Sequence, residues 1–204
     1  MTSMTAKASA TFRQIAGKLR RDKRGVAAVE FAMIVPVMFF LFVGAVEFSQ
    51  ALTVDRRVTQ SASSTADLIA RAPVEGLTES EVDGHLKIIE QLMEPYDLSR
   101  LTVKIYSVIA QNQNGNVTYR VDWSRDNRGA TPAARNTTYT AMPANLIAPG
   151  ESVIIAEATY NYQPLIFRYF IQTAFEMQEK FYLKPRNSSC VHLRPVNCVT
   201  GGTI

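Results

Sequence analysis

Between Val26 and Val46 lie 21 residues whose single charge is Glu30. At a rise of ~1.5 Å per residue, a helix of that length crosses a bilayer core of ~30 Å, so the segment predicts a transmembrane helix. Lys18, Arg20, Arg21, Lys23 and Arg24 crowd its upstream side, whereas the stretch from Phe48 to Asp67 has only Arg56 and Arg57 as cations. Positive flanks stay cytoplasmic. The expected arrangement is a single pass through a membrane, with the N-terminus cytoplasmic and the C-terminal domain facing outward. An ordinary secretory signal fits less well, because this apolar run outlasts an h-region of ~7 to 15 residues and holds a glutamate and a proline.

Glu30 is costly where it stands. A carboxylate in an apolar helix is unfavourable by ~2.5 to 3.5 kcal/mol at the bilayer centre and by less near the interface, so it calls for a cation or for headgroup depth. Headgroup depth would set it against the positive end of the helix dipole; a neighbouring cation would make it functional. Pro36, in the middle of the span, removes one backbone hydrogen bond and predicts a helix kink that neighbouring helices must accommodate.

The formal charge of +4 invites a nucleic-acid reading, but residues 1–25 hold seven Lys or Arg against one Asp. Without them 15 basic residues face 17 acidic ones, and the electrostatic warrant for nucleic acid disappears. Cys190 and Cys198 are the only cysteines. An even pair on the outward side of a membrane predicts a disulfide, whereas Cys-x-His192-x5-Cys lacks a fourth ligand for zinc.

Downstream of the membrane, Phe48, Ala51, Val54, Val58, Ala62, Ala66 and Ile69 fall at helical spacing, predicting that the helix continues from Glu47 to about Ala70. The small residues of Gln60–Ala66 permit close packing, either on the chain's own sheet or between subunits. Pro73 and Gly76 end this element, and Thr78-Glu-Ser-Glu81 reads as a capping box opening a second helix to about Glu94, with Val82, Leu86, Ile89 and Met93 inward. Strands are expected over Leu101–Ala110 and Val117–Trp123, joined as a hairpin by the Asn- and Gly-rich turn at 112–116. On the second of these, Val117, Tyr119, Val121 and Trp123 should share one face.

Residues 124–150 predict a long loop and a candidate binding surface. Glu151–Tyr162 is apolar on both faces, as a central strand would be, with Glu157 expected at an edge or surface and paired to Arg or Lys. Leu165–Phe175 predicts a short core helix or an exposed apolar patch, and Glu176–Lys184 a last strand with Met177, Phe181 and Leu183 inward. The chain thus divides into a basic leader (1–25), a transmembrane helix (26–46), a periplasmic domain (47–186) and a tail with the disulfide loop (187–204). The fold class is α+β: a long N-terminal helix, a second helix and a roughly four-stranded antiparallel sheet.

Gly25, four apolar residues, then Glu30-Phe31, set between a basic leader and an apolar helix, resemble the processing site of type IV prepilins. With Ala32 and Pro36, and with Thr65-Ala-Asp-Leu-Ile69, Val121-Asp-Trp-Ser124, Ala156-Glu-Ala-Thr-Tyr160 and Phe181-Tyr-Leu-Lys-Pro-Arg186, residues 18 to 198 resemble TadE-like proteins (TadE/TadG family). These are pseudopilins of the tight-adherence (Tad), Flp-type pilus system.

The resemblance implies cleavage between Gly25 and Val26 by a prepilin peptidase. It also implies assembly guided by Glu30 and Phe31, with Glu30 meeting the freed amine of a neighbouring subunit. Other pilins or pseudopilins, the inner-membrane assembly platform and membrane lipid would then be partners, in biogenesis or adhesion, with the protein in the inner membrane and its C-terminal domain periplasmic, or outside the cell within a pilus. The alternative is an uncleaved, single-pass scaffold or ligand-binding sensor of the envelope. The sequence holds no P-loop, Gly-x-Gly-x-x-Gly, Gly-x-Ser-x-Gly or Cys-x-x-Cys, so no enzyme, cofactor or metal is expected.

Overall fold

The computed structural model describes residues 25–113, 116–143, 146–166 and 174–198. The chain forms two compact units, Met1–Phe48 and Ser49–Ile204. Helix α1 is Val26–Ala70 and α2 is Glu79–Gln91. After a 3-10 turn at Leu98–Arg100 come β1 (Leu101–Gln113), β2 (Asn116–Asp126), β3 (Ser152–Tyr162) and β4 (Phe175–Leu183). The strands are antiparallel in the order β2-β1-β3-β4, which makes the α+β class plain and puts the doubly apolar β3 inside the sheet.

The helical spacing of α1 holds from Val54 onward, where Val54, Val58, Ala62, Ala66 and Ile69 are fully buried; Ala51 is partly buried against them, and Phe48, predicted on the same stripe, is exposed. The small residues Ser61 and Thr65 beside the buried stripe are buried too, and Val54, Val58, Ala62 and Ile69 belong to the domain's own core cluster. That assigns the Gln60–Ala66 face to packing within the chain. Thr78 caps α2 through the expected box, accepting from the Glu81 N–H while the Glu81 carboxylate accepts from the Thr78 N–H at 2.7 Å. The helix ends at Gln91 instead of Glu94 because its last turn tightens: Leu92, Met93 and Glu94 donate to carbonyls three residues back, and Pro95 cannot continue the ladder. Arg57 then satisfies the Leu92 and Glu94 carbonyls, each at 2.6 Å, and lies 5.5 Å from the Tyr96 ring centroid.

Both faces of the sheet are covered. Leu101, Val103, Ile105, Trp123, Ile154 and Ala158 pack toward the helices. Tyr106, Val108, Val121, Val153 and Ile155 pack under Tyr139 and Ile147 of the β2–β3 connection. That connection is therefore partly a lid on the sheet and not simply an exposed surface.

One expectation fails on β2. The register jumps from Ser107↔Trp123 to Val108↔Val121, leaving Asp122 as an extra residue. This β-bulge breaks the alternation, so Val121 faces the connection while Trp123 faces the helices. The two strands also run longer than expected, and residues 114–115 of their turn lie outside the described residues, as do residues 167–173 of the apolar Leu165–Phe175 run. Flanking that run, Leu165, Ile166 and Phe175 are exposed.

The segment after β4 is a strap. Cys190 and Cys198 form the predicted disulfide, which spends the thiols that a metal would need. Its neighbours close the domain. The Val191 carbonyl accepts from Trp123 Nε1 at 2.6 Å and from Ser107 Oγ at 3.4 Å. The Leu77 N–H donates to the His192 carbonyl, and Arg194 N–H donates to the Leu77 carbonyl. Gly76 has φ +77°, and a Cβ there would lie 2.5 Å from the His192 carbonyl oxygen, so only glycine fits beneath the strap. Arg186 N–H and the Asn187 side chain satisfy the Ala70, Arg71 and Ala72 carbonyls at the end of α1.

Candidate functional site

The residues singled out by sequence lie at the start of α1. Gly25 immediately precedes the helix and Val26 is its first residue. Val26 and Glu30 are four apart, hence neighbours on one face of the first turns. Every residue from Gly25 to Phe42 is exposed, although Glu30 is the only charged one among them. A helix that is apolar all round belongs in a membrane or under a partner, since water would meet its side chains on every side. By length and composition α1 is long and apolar enough to cross a membrane, near the N-terminus where either an anchor or a signal sits. Pro36 lies within it.

Residues 25–67 match the family model for TadE-like proteins. Over that segment the chain is similar to TadE-like proteins. The match takes in Gly25, Val26, Glu30, Phe31 and Pro36 together with the part of α1 that packs on the sheet. The similarity covers 43 of the 204 residues. No curated protein and no solved structure matches the chain.

Beyond the matched segment, charged side chains pair with one another. A groove of about 220 Å³ is lined by Glu79, Trp123, Arg125, Arg135, Arg194 and Val196, among others. Arg125 grips Asp83 through two bonds of 2.7 Å and reaches Glu79 at 2.9 Å. Arg135 pairs with Asp122, and Arg194 with Glu81, each at 3.0 Å. A second pocket of about 230 Å³ holds Tyr96, Tyr160 and Arg100, whose guanidinium bonds Gln163 at 3.0 Å and Asp97 at 3.3 Å. Among the described residues, no group of three or more His, Cys, Asp or Glu is placed to hold a metal.

The polar cluster that sequence reasoning misplaced is at Glu157. This residue is 8% exposed on inner strand β3, not at an edge or surface. The expected cation is there, Lys180 at 2.9 Å, and Tyr139 Oη donates to the same carboxylate at 2.9 Å. Burial first, then this carboxylate, pushes the Tyr139 hydroxyl well above its ordinary range. Burial raises Tyr106 to about 12. The loop residue Tyr139 thus closes over Glu157 as a clamp, and 18 residues of sequence separation hid the pairing.

The Arg125 hydrogen bonds hold Asp83 below its ordinary value of 3.8. The folded protein therefore binds that proton less tightly than the unfolded chain does, so the stabilisation is complete above pH 3.8 and drains away as pH falls through the lower folded value. Asp83→Asn should flatten this acid limb while lowering stability at neutral pH, as read by thermal unfolding of the full chain in detergent between pH 2 and 7.

Proposed function

We propose that this protein is a minor pilin or pseudopilin acting in biogenesis or adhesion of a Tad, Flp-type pilus. The supporting observation is the TadE-like match over residues 25–67, which begins at the glycine where a prepilin peptidase would cut. Cleavage after Gly25 frees the Val26 α-amine at the head of α1. Glu30, one turn further on, supplies the carboxylate that such an amine on a neighbouring subunit pairs with inside the bilayer. Phe31 adds apolar surface beside it. Pro36 has no N–H to offer the Ala32 carbonyl, which relaxes the ladder and lets the helix bend among its neighbours. The leader stays cytoplasmic and the folded domain is periplasmic, where an oxidising compartment keeps Cys190–Cys198 joined.

Mass spectrometry of the protein from native membranes tests this reading. An N-terminus at Val26 is expected. An N-terminus at Met1 removes the pilin interpretation and leaves a permanently anchored scaffold or sensor. Glu30→Gln should still be cleaved, while its recovery with other pilins in pulldowns falls about tenfold, equivalent to roughly 1.4 kcal/mol of lost pairing. Unchanged recovery would remove the role given to Glu30.

A further inference from the structure

The sheet has two edges, β2 and β4, and the protein treats them differently. Along β2 the following connection returns and covers the strand. Val121 N–H donates to the Thr137 carbonyl, Tyr139 N–H to the Tyr119 carbonyl, and Arg120 bridges to Thr138. The bulge at Asp122 further distorts that edge. Covering and bulging are two ways a sheet prevents another chain from adding to it.

Among the described residues, β4 has neither device. It keeps nine consecutive pairs with β3, from Ile154↔Leu183 to Tyr162↔Phe175, without a register shift. It contains no proline, and among the described residues it pairs with β3 alone. Phe175 at its start is 50% exposed. A regular strand with its outer N–H and C=O groups open is a template for another strand.

We propose that β4 is an interface with a second copy of this chain, the two β4 strands pairing antiparallel about a two-fold axis at Gln178. The charges select that register. Centred on Gln178, Glu176 faces Lys180 of the second copy and Lys180 faces its Glu176, while Phe175 meets Phe181 on the helix-facing side. Antiparallel pairing lets the register slip only in steps that keep opposed residues on one face. Centring on Met177 leaves both ion pairs unmade, and centring on Glu179 sets two carboxylates against each other. Lys180 already faces Glu157 at 2.9 Å, and its ammonium has three donors, so it can serve both carboxylates. An isologous contact of this kind closes on itself and stops at two copies.

Full-length protein in detergent carrying Gln178→Cys tests the axis. Opposed Cα atoms lie ~4.5 to 5.5 Å apart in an antiparallel pair, inside the ~4.4 to 6.8 Å that a disulfide spans. Cys190 and Cys198 already occupy each other. Mild oxidation should give a dimer linked 178 to 178, with a yield about tenfold above that of Val117→Cys on the opposite edge strand, β2. Adding Glu176→Lys should cut the yield about tenfold, since each of two attractive contacts becomes repulsive. Gln178 and Glu176 are exposed, so both substitutions leave the core intact. A yield no higher than that of Val117→Cys overturns the proposal. So does indifference to Glu176→Lys, or a cross-link in native membranes that joins position 178 to a different protein. Association through α1 alone gives no reason for the yield to fall with Glu176→Lys, and the outcome does not depend on whether the leader is removed.

Discussion

Replacing Trp123 with alanine lowers the stability of the folded domain by about 3–5 kcal/mol, the range for removing a large aromatic from a packed core. The size of the effect follows from what the indole joins. Its ring is in the helix-facing cluster, and its N–H reaches the Val191 carbonyl at 2.6 Å, so one side chain ties sheet, helices and strap. Trp123→Phe separates the two contributions. It keeps much of the ring and abandons the donor, and should cost about 2 kcal/mol, part of it the underbonded buried carbonyl. Urea unfolding followed by circular dichroism reads both variants, because Trp123 is the chain's single tryptophan and fluorescence loses its probe. A loss below 1 kcal/mol for the alanine variant would mean that the strap docks without the indole.

The second large effect is expected at Lys180→Met. Removing the cation leaves the Glu157 carboxylate buried with the Tyr139 hydroxyl as its neighbour. Breaking a buried pair from one side costs about 3–5 kcal/mol in general; Lys180 is 32% exposed, and partial hydration brings the expectation to about 2–3 kcal/mol. Adding Glu157→Gln, which still accepts from Tyr139 and carries no charge, should recover at least half of that loss. The cost would then be traceable to a stranded charge and not to lost packing by the lysine stem. Equal stability of the single and double variants would argue against it. If Tyr139 is the clamp described above, the single variant should also loosen residues 136–142, raising amide hydrogen exchange there first.

Much of this architecture is legible from local signals. The spacing of Val54, Val58, Ala62, Ala66 and Ile69 reports a buried helical face because a helix repeats every 3.6 residues. Thr78 and Glu81 announce the start of α2 because the capping bonds are made within four residues. β3 announces its inner position because both of its faces are apolar. What escaped the sequence depends on partners far along the chain. Nothing in Val121-Asp-Trp-Ser124 marks the bulge, which exists so that Val121 can serve one layer and Trp123 the other. Glu157 looked like a surface carboxylate because its phenolic partner lies across a loop and its lysine on another strand. At the candidate site the reverse holds. Gly25, Val26, Glu30 and Phe31 are contiguous, so the motif was visible at once, and the family match begins at that glycine.

The strap bears on when the domain can mature. Residues 186–198 supply the groups that finish the end of α1, the Leu77 turn and the indole of β2. A chain made from its N-terminus presents those sites long before their partners arrive. Until then the helical layer has open carbonyls and an unanswered indole donor, a state that chaperones and proteases recognise. Quality control therefore has a natural checkpoint: a molecule truncated between Leu183 and Val191 carries both helices, the sheet and every earlier motif, yet lacks the bolt that closes them.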